Sequence, residues 1–586
     1  MIPIDPGLVG PAYQAPMTLQ DAENAINWYV EVAEVDGAKE PVALLGTPGL
    51  NPIATTQTGA VRGLWVLPGG LKALAVTANT LYLLTQIVPA TQTSIAQISV
   101  ASVGQLLTNS GPVCIRDNGV AVGANGGYAL IVDGIFGYFY QLSGSSSTIT
   151  FTGSVSNGGT SIFLPGDLPA GLIISAGAVL TDTAGFIPAN TAIASIDYNT
   201  PSIAMTNPAT GASASDSITL NIPAFGVLND PGFPVNPQRL AFLEGWLICN
   251  SGGSRNFQTS GPIPYQMTWP PSFFSLKDSS TDNLITLFEN DREVWLVGER
   301  TSEVWYNAGG TNFPLARIPG VGPQIGSGGL NSITRLGNAL YWLGKNEQGE
   351  NIVVRTNGYS WERVSNHAIE HALGSYPLIS DAIAYGYEED GHGFFVLTLP
   401  TADVTWVYDV TASMQFQKPC WHQRASFDPT LGIYHRHRGN CYMDFSNLRL
   451  VGDYTTGQIH QMSRQYFTDA GAPLRAQRRV KHVWKKAART RVMQSSLQIE
   501  FTPGVGLQTG QGKTPEAMLR WSNDGGFTWS SEHWRTIGPA GQTKNRAKWN
   551  RLGYARDRVF EVNFSDPTPR DIIGATLFLE PEDANQ

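Results

Sequence analysis

Charge is scarce in this chain. Only 15% of its 586 residues are Asp, Glu, Lys or Arg, with a net charge of -9 and an isoelectric point near 5.5. That balance excludes a general affinity for nucleic acid or an anionic membrane and confines any such contact to a local patch. Cysteine is equally sparse. Cys114, Cys249, Cys420 and Cys441 stand far apart without a C-x-x-C pair, so neither a disulfide scaffold nor a zinc knuckle is indicated, and the thiols read as buried and reduced. No apolar run has the length of a membrane span, and Met1-Ile2-Pro3-Ile4-Asp5-Pro6 lacks the basic and apolar regions of a secretory signal. The expectation is a soluble chain, without membrane insertion and not exported by that route. Extended helical periodicity is missing too.

What the chain has instead is Gly 63, Pro 37 and Trp 15 among short apolar runs, the composition of an all-β protein with many turns. Residues 283–310 show the unit most clearly. Ile285, Leu287 and Phe288 form one run, Val294 to Val297 a second and Val304, Trp305 and Tyr306 a third, separated by Asn290-Asp291-Arg292 and Gly298-Glu299-Arg300. Such runs read as antiparallel strands joined by hairpins. Similar sets begin at Val61 and Val120, return after Asp230-Pro231-Gly232 and continue to His460. They recur at roughly 45 to 50 residues, the spacing of propeller blades, each a sheet that buries its faces only against its neighbours. Six or seven blades are expected, with Trp295, Trp305, Trp342 and Trp406 as blade-packing residues. A solenoid of sheets competes, but radial closure protects the edges better.

Two stretches break the pattern. No Lys or Arg occurs between Arg116 and Arg239, and Ser, Thr, Ala and Gly dominate from Ser143 to Pro223, which reads as an inserted small β-domain. Further on, Arg475, Arg478, Arg479, Lys481, Lys485, Lys486, Arg489 and Arg491 crowd together with no acidic residue before Glu500. This run fits a solvated strand face, a subunit interface or a groove making non-specific DNA backbone contacts, and charge alone does not choose. The chain therefore divides into a docking segment 1–60, first blades 61–143, an inserted β-domain 144–223, remaining blades 224–470 and a C-terminal β-domain 471–586.

Three motifs suggest chemistry, and each has a plainer reading. Ser522-Asn523-Asp524-Gly525-Gly526-Phe527-Thr528-Trp529 fits an Asp-box, a hairpin staple in which Ser522 and Asp524 bond the turn backbone, Gly526 takes the unusual φ and Trp529 plugs the fold. It resembles the boxes of sialidases, yet the arginine cluster, Tyr nucleophile and acid of such an enzyme cannot be assigned; a carbohydrate-binding or glycoside-cleaving propeller stays as the alternative. His367-Ala368-Ile369-Glu370-His371 matches H-x-x-E-H without a third ligand, and Gly512-Lys513-Thr514 fails the spacing of a phosphate loop because Leu507 stands where a glycine is required. No catalytic residue, metal or cofactor is assigned.

Several segments carry a family resemblance. Leu296-Val297-Gly298-Glu299-Arg300-Thr301-Ser302-Glu303-Val304-Trp305-Tyr306-Asn307, Tyr341-Trp342-Leu343-Gly344, Arg355-Thr356-Asn357-Gly358-Tyr359, Thr405-Trp406-Val407-Tyr408-Asp409 and Trp421-His422-Gln423-Arg424 follow in order, preceded by Asn27-Trp28-Tyr29 and Gly46-Thr47-Pro48-Gly49-Leu50. Together they resemble the packaged-DNA stabilisation proteins of short-tailed, lambdoid-type bacteriophages. The resemblance implies a non-enzymatic component of the virion tail, assembled in the host cytoplasm. It implies a homo-hexameric nozzle, or head-completion ring, below the portal and its adaptor ring. Such a ring closes the channel until genome ejection, supports the tail needle or plug, and adjoins tail fibres or tailspikes. Non-specific contact with packaged DNA would fall to the basic run, with Arg475, Arg478, Arg479, Lys481, Lys485 and Lys486 as candidates. A host surface adhesin is disfavoured by the missing export signal.

Overall fold

Short β-branched and aromatic runs have to stack, and in the computed structural model they do so around one axis. The structure describes residues 2–35, 38–88, 97–124, 126–263, 265–310, 313–346, 348–484 and 491–580. Among them, seven small antiparallel sheets form a propeller. The innermost strands are Val61–Val66, Cys114–Asp117, Pro237–Leu243, Leu284–Asn290, Thr334–Leu336 with Gly326–Ser327, Ile383–Glu389 and Gly439–Phe445, one for each of blades 1 to 7. Neighbouring blades touch in that order, and Gly439–Phe445 packs on Val61–Val66 to close the ring.

Closure uses the beginning of the chain. The fourth strand of blade 7 is Gly49–Thr55, which runs antiparallel to Gln458–Ser463 with Gly49 opposite Ser463 and Thr55 opposite Gln458 and carries Thr468–Asp469 on its other side. Only glycine fits at 49, because a Cβ there would lie 2.3 Å from the Tyr466 carbonyl oxygen. Strand pairing between the two ends of the repeat array removes both open edges at once.

Blade 2 carries the insertion. Its third strand, Gly137–Gln141, pairs with its fourth, Phe225–Val227, and between them the chain builds a six-stranded sheet in the order Val179–Asp182, Ser213–Ile222, Ser147–Val155, Ser161–Phe163, Ser202–Met205, Ile193–Asp197. Alternation places Ile218, Leu220 and Ile222 inward. These join Leu130, Leu240 and Trp269 of the propeller in one apolar core, so the inserted sheet is packed onto blades 2 and 3.

The last element is a β-sandwich shared by both ends of the chain. One sheet runs Trp28–Val32, Val42–Gly46, Ile572–Leu579, Val492–Phe501, Ala547–Ala555, with Ile2–Ile4 added to Ile572–Leu579. The other contains Asn24–Ile26, Ala476–Arg479, Asp557–Phe564, Glu516–Ser522 and His533–Thr536 and continues into blade 6 through Ile26, opposite Gln423. Trp28, Leu44, Leu497, Ile499, Phe560, Val562 and Leu577 fill the space between them. Residues 2–46 therefore belong structurally with the sandwich. Asn27, at φ 57°, locks it to the propeller: its side-chain amide donates to the carbonyls of Ala425 at 2.8 Å and Arg475 at 2.7 Å and accepts from the Ala425 N–H at 3.0 Å.

Candidate functional site: the propeller axis and the basic strand

The inner strands of all seven blades surround a cavity of about 200 Å³ on the propeller axis. Three arginines line it, Arg62, Arg116 and Arg239, and the last two lie beside Phe288. Arg116, from blade 2, lies 4.3 Å from the Trp65 ring centre, donates to Glu289 at 2.9 Å and donates to the Ile115 carbonyl at 3.0 Å. Burial opposes its charge, but Glu289 more than compensates and raises its pKa. Arg239, from blade 3, donates to the Asn331 side-chain oxygen at 3.1 Å, and burial lowers its pKa. Phe288 lies between them, 5.8 Å from Arg116 and 5.9 Å from Arg239. The nearby Arg62 plays a different part: it donates to Ala78, Thr108, Ser110 and Gly111 oxygens and staples the turns of blade 1.

The basic strand is largely committed to internal bonds. Arg475 donates to Glu532 at 3.1 Å and lies 4.8 Å from the Phe427 ring centre. Arg478 is fully buried, donates to the Leu8 carbonyl at 2.8 Å, approaches Glu23 to 3.8 Å and has its pKa lowered by that burial. Arg479 and Arg520 both bond Glu561, at 2.7 and 2.6 Å, and flank the Trp529 ring. Burial pushes the Glu561 carboxyl up, but Arg520, Arg479 and Asn563 outweigh it and hold the group below its ordinary range. Arg478 thus lies too deep to touch DNA or another subunit in this chain. Lys481 is exposed, while Lys485 and Lys486 fall outside the described residues.

The Asp-box forms the staple its residues imply, with one change. Ser522 accepts from Gly526 N–H at 2.8 Å and donates to Asp524 at 2.6 Å, while Asp524 accepts from Thr528 N–H at 2.9 Å. Hydrogen bonds from Ser522 and Thr528 hold the Asp524 carboxyl far below its usual range. Gly525 shares the positive φ with Gly526. Trp529 does not plug a core: it is half-buried, with its faces covered by the two arginines on Glu561.

Trp295 and Trp342 are buried together between blades 4 and 5, and Trp305 packs at 5.1 Å on Phe257 of blade 3. Trp406 is half-buried against the interface of blades 5 and 6 and donates to Tyr376 at 3.0 Å. His367 and Glu370 lie on the helix His367–Ser375, where Glu370 is taken by Arg363 at 2.5 Å. Among the described residues no cluster of three or more His, Cys, Asp or Glu is placed to hold a metal ion.

Sequence reasoning missed the paired arginines at the axis and the Asn27 clamp. Both depend on residues far apart in the chain, 92 positions for Arg239 and Asn331 and 398 for Asn27 and Ala425; the local hint was Arg116 and Arg239 as the last and first cations around a stretch without Lys or Arg.

No curated protein matches the chain. Among solved structures, a Bacteroides uniformis protein described as a 6-phosphogluconolactonase aligns at 10% identity over 70% of this chain and 94% of its own, with TM-score 0.28. PorZ, a surface component of the type-IX secretion system of Porphyromonas gingivalis, aligns at 10% identity over 83% of this chain and 46% of its own, with TM-score 0.31. The Dos1 propeller aligns at 9% identity over 71% and 95%, with TM-score 0.29. Likeness at this level bears on neither family nor function. Family profiles are more informative: that of "Bacteriophage P22 Gp10, beta-propeller" matches residues 263–466, and that of "Bacteriophage P22 Gp10, beta-sandwich" matches residues 477–580. The two follow in order, together span more than half of the chain and fall within the later blades of its propeller and within its sandwich, so the chain belongs to the family of bacteriophage P22 Gp10, structural proteins of short-tailed phages.

Proposed function

We propose that the chain is a tail nozzle protein: six copies form a ring below the portal and its adaptor ring, close the DNA channel after packaging and support the tail needle and fibres. The observation that carries this reading is the ordered match to both domains of one phage structural protein. The architecture suits the role. A propeller closed by its first strand and fused by a continuous sheet to a sandwich makes a stiff body, and stiffness lets a ring resist internal pressure without chemistry. The work is mechanical, with large subunit interfaces holding the ring and channel loops holding back DNA. Because Arg475, Arg478 and Arg479 are bonded within the chain, any DNA contact from this stretch falls to Lys481 and the residues after it.

The test is a phage carrying a null allele. Particles should fill with DNA and then lose it, and supplied protein should restore retention; normal retention without the protein would end the proposal. Electron microscopy of the purified tail should show six-fold density for this chain.

A further inference from the structure

Arg62, Arg116 and Arg239 line the axial cavity, and no carboxylate is among its lining residues. Arg62 shows what a satisfied arginine looks like in this propeller: its three nitrogens make five hydrogen bonds to surrounding oxygens. Arg239 contrasts with it. A guanidinium offers five N–H donors, yet Arg239 makes one side-chain hydrogen bond, to Asn331, and its Nε is sealed from solvent without a partner. Among the described residues it forms no salt bridge: the carboxylates nearby serve others, Glu289 bonding Arg116 at 2.9 Å and Asp117 accepting from the Trp65 indole at 2.6 Å.

Arg239 is half-buried as a whole, but its sealed Nε is a charged donor cut off from water, and such a group is costly to leave unpaired. The usual remedy is an anion whose geometry matches the guanidinium fork. The cavity here has about 200 Å³ of open space, which suits a tetrahedral oxyanion and is far too small for a strand of nucleic acid. Trp65 and Phe288 line the cavity beside the guanidinium groups, and their apolar faces lower the local dielectric and so strengthen the attraction.

We infer that the propeller axis is a binding site for one small oxyanion of the phosphate class, held by Arg239 and Arg116 with Asn331 beside Arg239. Bound there, the anion ties blades 2, 3 and 5 across the axis and acts as a pin for the ring of inner strands. This inference is independent of the nozzle reading, since it concerns a single chain.

The experiment is calorimetric titration of the full-length protein with inorganic phosphate, with chloride holding ionic strength constant. Saturable binding of one phosphate per chain is expected. Arg239→Gln should lower the affinity at least about tenfold, the equivalent of 1.4 kcal/mol. Arg239→Lys, which keeps the charge and loses the fork, should fall between the two. Arg335→Gln, which removes an exposed arginine paired with Asp291 at 3.2 Å, should bind like the unaltered protein. Absence of saturable binding by the unaltered protein overturns the proposal whatever the variants do. Equal loss in Arg239→Gln and Arg335→Gln overturns it as well, by reducing the effect to general surface charge. A short single-stranded oligonucleotide forms the last arm: failure to displace phosphate supports a free anion, and one-for-one displacement overturns it in favour of a DNA backbone phosphate.

Discussion

Trp295 and Trp342 meet across the gap between blades 4 and 5, with ring centres 6.4 Å apart and planes inclined by 55°. Neither indole reaches solvent to any useful degree, and Trp342 donates to the Gly326 carbonyl at 3.1 Å. The contact belongs to two blades at once, so its loss opens a cavity that neither sheet can close alone. Trp342→Ala and Trp305→Ala should each cost about 3–5 kcal/mol, measured as a lower urea midpoint at unchanged slope. Full stability in either variant would contradict inter-blade packing.

Gly49 offers a sharper test of closure. Its Cβ would collide with backbone, which cannot swing aside, and overpacking of this kind costs about 1–3 kcal/mol or more. Gly49→Ala should lower the melting temperature, whereas Gly166→Ala, where a Cβ meets nothing within 4 Å, should leave it within error. Differential scanning calorimetry distinguishes them.

These two positions also show what the sequence could reveal. The meander at 283–310 was legible because alternation along Glu293–Gly298 sends Val294 and Leu296 to one face and Trp295 and Val297 to the other, and both faces are buried. Closure was not legible: nothing local to Gly46-Thr47-Pro48-Gly49-Leu50 shows that Ser463 lies opposite Gly49. The basic strand misled for a related reason. A run of like charge suggests a surface, but Glu561, 82 residues further along the chain, lies opposite Arg479 on the neighbouring strand and draws it inward, while the Leu8 carbonyl takes Arg478. Long-range partners set the fate of each cation.

Glu561 is the hub of that arrangement. The fully buried carboxylate accepts from Gln477 at 3.0 Å and Asn563 at 2.9 Å besides its two arginines. Glu561→Gln keeps the shape and strands the cations, so it should cost about 3–5 kcal/mol and expose Trp529, raising its quenching by iodide. A variant with unaltered stability and quenching would show that the arginines find other partners.

The propeller and sandwich should respond to pH through two histidines with opposite signs. His392 bridges Glu31 of the sandwich at 2.6 Å and Asp409 of blade 6 at 2.8 Å. Burial opposes its protonation, but Asp409 and Glu31 prevail and raise its pKa from 6.5 to about 8. A raised folded pKa gives stability that is complete below pH 6.5 and lost as pH climbs through 8, on the order of 1 kcal/mol after solvent screening. His437 is depressed to about 3 by burial and by Arg424, so the unfolded chain takes up its proton first and stability falls as pH drops below 6.5. Unfolding free energy should therefore peak near pH 6.5. His392→Gln should flatten the slope between pH 6.5 and 8 and leave the acid limb intact; an unchanged alkaline slope would remove His392 from the account.

The insertion invites a functional deletion. We expect an outward module that serves fibre attachment or the tail tip. Replacing residues 144–222 by a short linker should reduce adsorption or fibre occupancy while DNA retention persists; normal adsorption with full fibre occupancy would refute that role.

The strand Gly49–Thr55 has one further consequence, for the timing of synthesis. Its pairing strand, Gln458–Ser463, leaves the ribosome roughly 400 residues later, and at about 5–20 residues per second the wait lasts about 20–80 seconds. Throughout that interval the nascent chain carries an unpaired edge and blade 7 cannot form. Polysomes making this protein hold several such edges close together, so the window for pairing with the wrong chain is longest during translation and shuts only when the last repeat is complete.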